Sequence, residues 1–177
     1  MNLFCRIIFL LLTATALVGC ATPANQQAMT ISSSDISSNR SEKLANSVYV
    51  NSVSGGKSTN PLWTSQVDNA GFKGALDQSL MAIGYKSKSA ADAKMQIDAS
   101  LQNIEQPLFG LTFDVKSTVF YTINSDSGQK VFPVTATGSA STSDAFLGFE
   151  RLRIANERSI KENIKQFIQT ISSYYTK

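Results

Sequence analysis

Residues 93–102 read AKMQIDASLQ and residues 111–123 read LTFDVKSTVFYTI, and these two stretches decide the fold. In both, apolar and polar side chains alternate along the chain, as Met95, Ile97 and Leu101 do in the first. Strict alternation of this kind predicts a β-strand with one buried face and one solvated face. The sheet that these strands form therefore needs a covering layer on one face only.

Further strands are predicted on either side of this pair. Residues 47–53 (SVYVNSV) form a β-rich run that ends at two glycines, and residues 130–140 continue the alternation after a turn at 124–128. Pro133 lies in that last run and cannot donate a backbone hydrogen bond. Its position predicts that this strand lies at an edge of the sheet or carries a bulge.

Two helices complete the predicted domain. Ser65 precedes Asp68 by three residues, which is typical of a capping box at a helix start, and Gly84 is suited to end that helix. A second helix is predicted over residues 144–175. Each helix has an apolar stripe at helical spacing, formed by Phe72, Leu76, Leu80 and Ile83 in the first and by Ile160, Ile164, Phe167, Ile168 and Ile171 in the second.

The order of elements is thus β-α-β-β-β-α, an α+β fold. Two apolar helix stripes and the apolar faces of the strands are buried together most simply in a two-layer sandwich. We expect a mixed four-stranded sheet with both helices on one face and short connections between elements. Residues 45–177 are enough for a single domain with one core.

The first residues have the pattern of an export signal. Residues 1–6 carry one basic residue, Arg6, and residues 7–18 are an uninterrupted run of apolar and small side chains. As a helix, that run would span only about 18 Å, which is short of the roughly 30 Å core of a bilayer. Residues 1–19 are therefore predicted to be a signal peptide that is removed.

The run ends in Leu17-Val18-Gly19-Cys20, which resembles the bacterial lipobox. This resemblance implies that Cys20 carries a covalent diacylglycerol and, after cleavage, an N-acyl chain such as palmitate. The alternative is an ordinary cleaved signal with a chance cysteine. Ala21 in place of Asp implies an outer-membrane lipoprotein facing the periplasm. Residues 21–44 are rich in Ser, Asn and Gln, so residues 20–44 are predicted to be the lipidated cysteine and a flexible tether with a reach of roughly 27 Å.

Composition excludes several classes of function. The chain contains no histidine, and its only cysteines are Cys5 and Cys20. Catalysis by Ser-His-Asp or Cys-His groups and the usual zinc sites are therefore excluded, and we predict no enzyme, no metal and no cofactor besides the lipid. Without Arg6, the 16 basic residues become 15 against 13 acidic residues. This near balance, without a basic block, argues against nucleic-acid binding.

A few residues are candidates for binding a partner. Leu62 and Trp63 follow Asn60-Pro61 in a loop, and Trp63 is either a cap on the core or an exposed anchor. Phe109 lies at a second apolar loop, residues 107–110, with the same two alternatives. Arg151 and Arg153 open the last helix, either as an ion-paired solvated face or as a basic contact for an acidic partner or lipid headgroups.

Glycine and lysine at residues 55–59 (GGKST) suggest a phosphate-binding loop, but the pattern is incomplete. Asn51 stands where its first glycine is required, and Asn60-Pro61 prevents a helix from following. A flexible glycine turn is the better interpretation.

In overall pattern the chain resembles the YajG-type outer-membrane lipoproteins and, more loosely, the LpoB-type activators of cell-wall synthases. The lipobox, the helix that ends at residues 83–85, the strand at residues 95–101 and the closing helix carry this resemblance. The function we expect is a non-catalytic, membrane-anchored domain that binds another envelope component, a protein or a glycan. Two alternatives remain: a carrier or sensor of a small apolar ligand, and an envelope enzyme using carboxylates or a serine.

Overall fold

A computed structural model describes residues 21–36, 40–60 and 65–176. The first helix of the described residues is a single turn, α1 (Gln26–Met29). The main elements follow in the predicted order: β1 (Val48–Ser54), α2 (Asn69–Ala82), β2 (Met95–Glu105), β3 (Thr112–Ser125), β4 (Gly128–Ser141) and α3 (Gly148–Thr176). Two short 3₁₀ turns lie before β1, at Ser33–Asp35 and Glu42–Leu44.

The four strands form one sheet in the order β1-β2-β3-β4. β1 pairs with β2 in parallel, whereas β2, β3 and β4 form an antiparallel meander, so the sheet is mixed as predicted. β4 lies at an edge of the sheet. Pro133, which pairs with Phe120, is therefore tolerated there, as the sequence predicted.

α2 begins three residues later than the capping-box prediction. Asp68 is the N-cap residue, and its carboxylate accepts a hydrogen bond from Gly71 N at 2.7 Å. Ser65 is fully buried, and its backbone carbonyl accepts hydrogen bonds from side chains of other elements, so it does not cap the helix. Gly84 has a φ of +78° just after the helix, which confirms the predicted helix end.

The core lies between the sheet and the helices, and the predicted stripes of α2 and α3 are buried in it. At its centre the rings of Tyr121 and Phe167 stack at 3.8 Å, and Phe72 meets Tyr121 edge-on at 6.3 Å. The opposite face of β3 carries the predicted outward side chains, such as Lys116 and Thr118. Within the described ranges, no helix has the length and hydropathy needed to span a bilayer.

A buried polar seam joins α3 to β3 and β4. Asn163 donates to Val134 O at 3.1 Å and to Ser117 O at 3.2 Å, and it accepts a hydrogen bond from the Tyr121 hydroxyl at 2.9 Å. Ser159 donates to Ser117 Oγ at 2.8 Å. Burial raises the pKa of Tyr121 well above its usual value, so the phenol stays protonated and serves as a donor.

The segment predicted to be a flexible tether packs instead against the domain. Met29, Ile31 and Leu44 are buried with essentially no exposed surface and belong to the main core cluster. Backbone hydrogen bonds add to this packing: Asn25 N donates to Glu157 Oε1 at 2.8 Å, and Ile31 N donates to Ser79 Oγ at 3.1 Å. The apolar residues of this segment are too scattered to show a period, but together they cover α2 and α3, so residues 21–36 and 40–44 are part of the domain.

Candidate functional site

The sheet topology places several connections at one end of the domain. β1 and β2 both finish at this end, β3 starts there, and β4 finishes there, since Thr112 pairs with Ser141. The β1–α2, β2–β3 and β4–α3 connections therefore meet at the same end. Ser54 pairs with Ser100, so β2 runs on beyond the end of β1.

Large apolar side chains at this end project into solvent. We call this set the apolar tip. It comes from the β2–β3 and β4–α3 loops and consists of Leu108 (93% exposed), Phe109 (86%), Leu111 (76%), Phe146 (88%) and Leu147 (48%). Solvent-exposed leucine and phenylalanine are common singly, but a group of five at one end of a domain is typical of a binding surface.

Arg151 holds the two loops of the apolar tip together. Its guanidinium donates to Gly110 O at 3.3 Å in the first loop and to Phe146 O at 3.4 Å in the second. It also lies 5.2 Å from the centre of the Phe113 ring, within the range of a cation–π interaction. Arg151 is only 8% exposed, so its role is to position the loops.

Asp144 fixes the base of the second loop. Its carboxylate accepts a hydrogen bond from Ser141 N at 2.8 Å and one from Arg158 Nη2 at 2.7 Å. The hydrogen bond from Arg158, followed by that from the Ser141 backbone, lowers the pKa of Asp144 to about 2. Asp144 is thus ionised and paired throughout the neutral range, which leaves no isolated charge at the base of this loop.

Gln106 fixes the base of the first loop. Its Nε2 donates to Ser65 O at 3.1 Å and to Asn156 Oδ1 at 2.8 Å, and its Oε1 accepts from Gln66 Nε2 at 3.4 Å. Asn156 is fully buried and donates in turn to Ser65 O at 3.0 Å. These bonds join the first loop to α3 and to the end of the β1–α2 connection.

The first described residues also lie at this end of the domain. Ala24 N donates to Gln66 O at 3.0 Å, and Gln66 is the residue that reaches Gln106. Ala21 is 6% exposed and lines a surface groove with Gly56 and Asn69. The first described residues therefore lie beside the β1–α2 connection, on the same end as the apolar tip.

The predicted partner-binding residues have different surroundings. Phe109 is exposed as part of the apolar tip, whereas Arg151 is buried beneath its two loops. Arg153 is paired with Glu150 at 2.7 Å and with Glu157 at 2.6 Å, in agreement with the ion-paired interpretation. Cys20, Leu62 and Trp63 lie outside the described residues.

Sequence reasoning misses three of the five residues of the apolar tip: Leu111, which the alternation places in a strand, and Phe146 and Leu147. The sequence pattern predicts a last helix from residue 144, which would include Phe146 and Leu147. The helix begins at Gly148, so both residues lie in the loop. Gly148 was the available signal, because a glycine at that place either bends a helix start or delays it.

Outside the apolar tip, the large apolar side chains exposed in the described ranges are those of Met81, Phe120, Val131 and Tyr174. On the open face of the sheet, Asp98 accepts hydrogen bonds from Asn51 at 2.7 Å and from Asn124 at 2.8 Å. A groove of about 90 Å³ between the β1–α2 connection and the end of β2 is lined mainly by polar side chains, such as Lys57 and Gln102. In the described ranges, no three acidic residues come together as a metal site.

Comparisons with known proteins identify no family. No protein-family model matches the chain, and no curated protein matches it. The structure is similar to protein XCC0632 from Xanthomonas campestris, described with family-model DUF330, at 10% identity and a TM-score of 0.45, over 72% of this chain and 80% of that one. It is also similar to the hypothetical protein CT253 from Chlamydia trachomatis, at 9% identity and a TM-score of 0.45, over 75% of this chain and 96% of that one.

Both similar structures come from bacteria, and neither description names a ligand, a partner or an activity. The resemblance to YajG-type and LpoB-type lipoproteins stays a prediction from the sequence.

Proposed function

We propose that this protein is a non-catalytic lipoprotein of the outer membrane, facing the periplasm, that binds another component of the cell envelope. The anchor would be the diacylglycerol and N-acyl chains on Cys20. The binding surface would be the apolar tip. The motif at Cys20 is local in the sequence, whereas the apolar tip forms only when the chain folds.

The observation that carries the proposal is the exposure of the apolar tip on loops that are held in place. Leu108, Phe109 and Phe146 are each more than four-fifths exposed, although the loops are tied to the domain through Arg151, Asp144 and Gln106. Loops that are already held in place lose little backbone freedom when their exposed aromatic and aliphatic side chains bind a partner. That property is typical of interaction hot spots.

The position of Ala21 supports the proposed anchor. Cys20 directly precedes it in the chain, and Ala21 lies on the same end of the domain as the apolar tip. Two or more acyl chains on Cys20 would hold the domain stably at a membrane. The apolar tip would then face the envelope components at that membrane.

The anchor is tested by metabolic labelling with a clickable palmitate analogue. We expect the full chain to incorporate the label, and Cys20→Ser to lose it. Cys5→Ser is the matched control, since that cysteine lies in the predicted signal peptide and its variant should label like the wild type. An unlabelled wild-type chain would refute the lipoprotein proposal.

The binding surface is tested by photo-crosslinking in intact cells. A photoreactive amino acid at Phe109 or at Phe146 should form adducts with an envelope component. The control position is Asp126, which is exposed in the β3–β4 turn at the opposite end of the sheet. Adducts that form equally at Asp126, or at none of the three positions, would contradict the proposed role of the apolar tip.

A further inference from the structure

We propose that the apolar tip inserts into the lipid surface of the membrane in which the chain is anchored. This inference deepens the proposed function and rests on it, because it takes Cys20 as the lipidated residue. The occupant of the apolar tip would then be the bilayer interface itself, with a protein as the competing alternative.

The proposed anchor lies close to the folded domain. A flexible tether would have separated the two by roughly 27 Å, but the described part of that segment is packed on the core. Ala21 is largely buried and Ala24 is hydrogen-bonded to Gln66. Cys20 directly precedes Ala21 in the chain. Lipid chains on Cys20 would therefore hold this end of the domain against the membrane.

The apolar tip projects beyond the end of β1. β1 makes its last pair, Ser54 with Ser100, while β2 continues to Glu105. At ~3.3 Å per residue, the β2–β3 loop extends roughly 17 Å past the end of β1. Ala21 lies beside Gly56, close after β1. The apolar tip thus lies further along the strand direction than the end of β1, beside which Ala21 lies.

The two loops of the apolar tip are uncharged. Residues 107–113 (PLFGLTF) and 145–149 (AFLGF) contain no charged side chain. Asp144, at the base of the second loop, is paired with Arg158. Burial of these loops in the interface would therefore leave no unpaired charge in a region of low dielectric, and leucine and phenylalanine are the residues with which peripheral proteins enter the interface.

A fluorescent label on the apolar tip should contact lipid when the whole lipoprotein is placed in a bilayer. The mature lipidated chain would have no free thiol, since Cys5 would be removed and the Cys20 sulfur would carry the diacylglycerol, so an engineered cysteine is labelled selectively. Phe109→Cys and Phe146→Cys would carry an environment-sensitive fluorophore, with Asp126→Cys as the matched control. The purified full-length lipoproteins are reconstituted in vesicles of phosphatidylethanolamine and phosphatidylglycerol that contain a nitroxide-labelled lipid.

We expect several-fold stronger quenching and a blue-shifted emission for the labels at residues 109 and 146 than for the label at residue 126. Both phenylalanines are mainly exposed, so their replacement should leave the circular dichroism spectrum and the melting temperature unchanged. Equal, weak quenching at all three positions in an acylated chain would overturn the inference.

Two further outcomes separate the alternatives. If the label at residue 109 stays in water on vesicles but is shielded in native outer-membrane fragments, the apolar tip docks on a protein and the lipid inference is wrong. The mass of the same preparation reports acylation independently. A chain without acyl groups refutes the lipoprotein proposal and this inference together, whereas an acylated chain without quenching refutes this inference alone.

Discussion

Replacement of Gly138 by alanine tests how closely α3 packs on β4. A Cβ at this position would lie 2.1 Å from Ser159 N, 2.5 Å from Ala155 O and 2.6 Å from Arg158 C. These are backbone atoms of α3, which cannot rotate away as a side chain does. Because carbon atoms in contact need about 3.5–4.0 Å, the strand and the helix would have to separate by on the order of 1 Å.

Separation of the strand from the helix would lower the free energy of unfolding. Overpacking of a dense core typically costs about 1–3 kcal/mol. The same movement would stretch the hydrogen bonds of Ser159 and Asn163 in the polar seam, and each buried polar group that loses its partner adds about 1–3 kcal/mol. We expect Gly138→Ala to lower the free energy of unfolding by about 4 kcal/mol. For a domain of this size that is a fall in melting temperature of roughly 8–16 °C.

The assay is urea unfolding of the full chain followed by circular dichroism, with thermal melting as a second readout. Gly148→Ala is the matched control. A Cβ there would lie 3.7 Å from Arg151 Nη2 and 3.9 Å from Phe113 Cζ, which are ordinary contacts. The control should change stability by less than about 1 kcal/mol, in the stabilising direction. If Gly138→Ala unfolds within ~0.5 kcal/mol of the wild type, the close approach of helix and strand is wrong.

Three other predictions concern the loops and the N-terminal segment. Arg151→Met keeps the aliphatic stem but removes both hydrogen bonds to the loops of the apolar tip. Amide hydrogen exchange in residues 106–111 and 142–147 should therefore accelerate about tenfold, which is equivalent to ~1.4 kcal/mol of local stability. Unchanged exchange would exclude a role of Arg151 in holding the loops. Asp144 has a pKa lowered from 3.8 to about 2, so its pairing with Arg158 stabilises the fold above about pH 4 and is lost as the pH falls through about 2. The melting temperature of Asp144→Asn should therefore lie below that of the wild type at pH 6, and the difference should shrink towards pH 2; a constant difference would contradict this assignment. Met29→Ala should cost about 2–4 kcal/mol in urea unfolding because Met29 is fully buried, whereas a residue in a free tether would change nothing.

Much of the fold could be predicted because its determinants are local. Alternation along β3 places Val115, Val119 and Tyr121 inward, and all three are buried. The predicted turn, the edge position of Pro133 and the helix end at Gly84 also follow from properties of single residues. Patterns with a period of two or of 3.6 residues show which face of each element is apolar, and the layers follow from the need to bury those faces.

The candidate site could be predicted only in part. Phe109 was singled out because it lies in an apolar loop, but nothing near it in the sequence indicates that the β4–α3 loop lies beside it. Arg151 looked like a surface cation, whereas it is buried between the two loops. A side chain can be recognised as a positioning group only when both of its distant partners are known.

The sequence by itself determined the order of the elements, their inward and outward faces and the lipobox-like motif at Cys20. These features depend on neighbours within a few residues. The tertiary structure decided that residues 21–36 and 40–44 belong to the core, that a glycine at position 138 is required, and that the apolar tip and the N-terminal chain share one end. Each of those depends on groups far apart in the chain, such as Asn25 with Glu157, because burial and steric contact arise only when separate elements pack together.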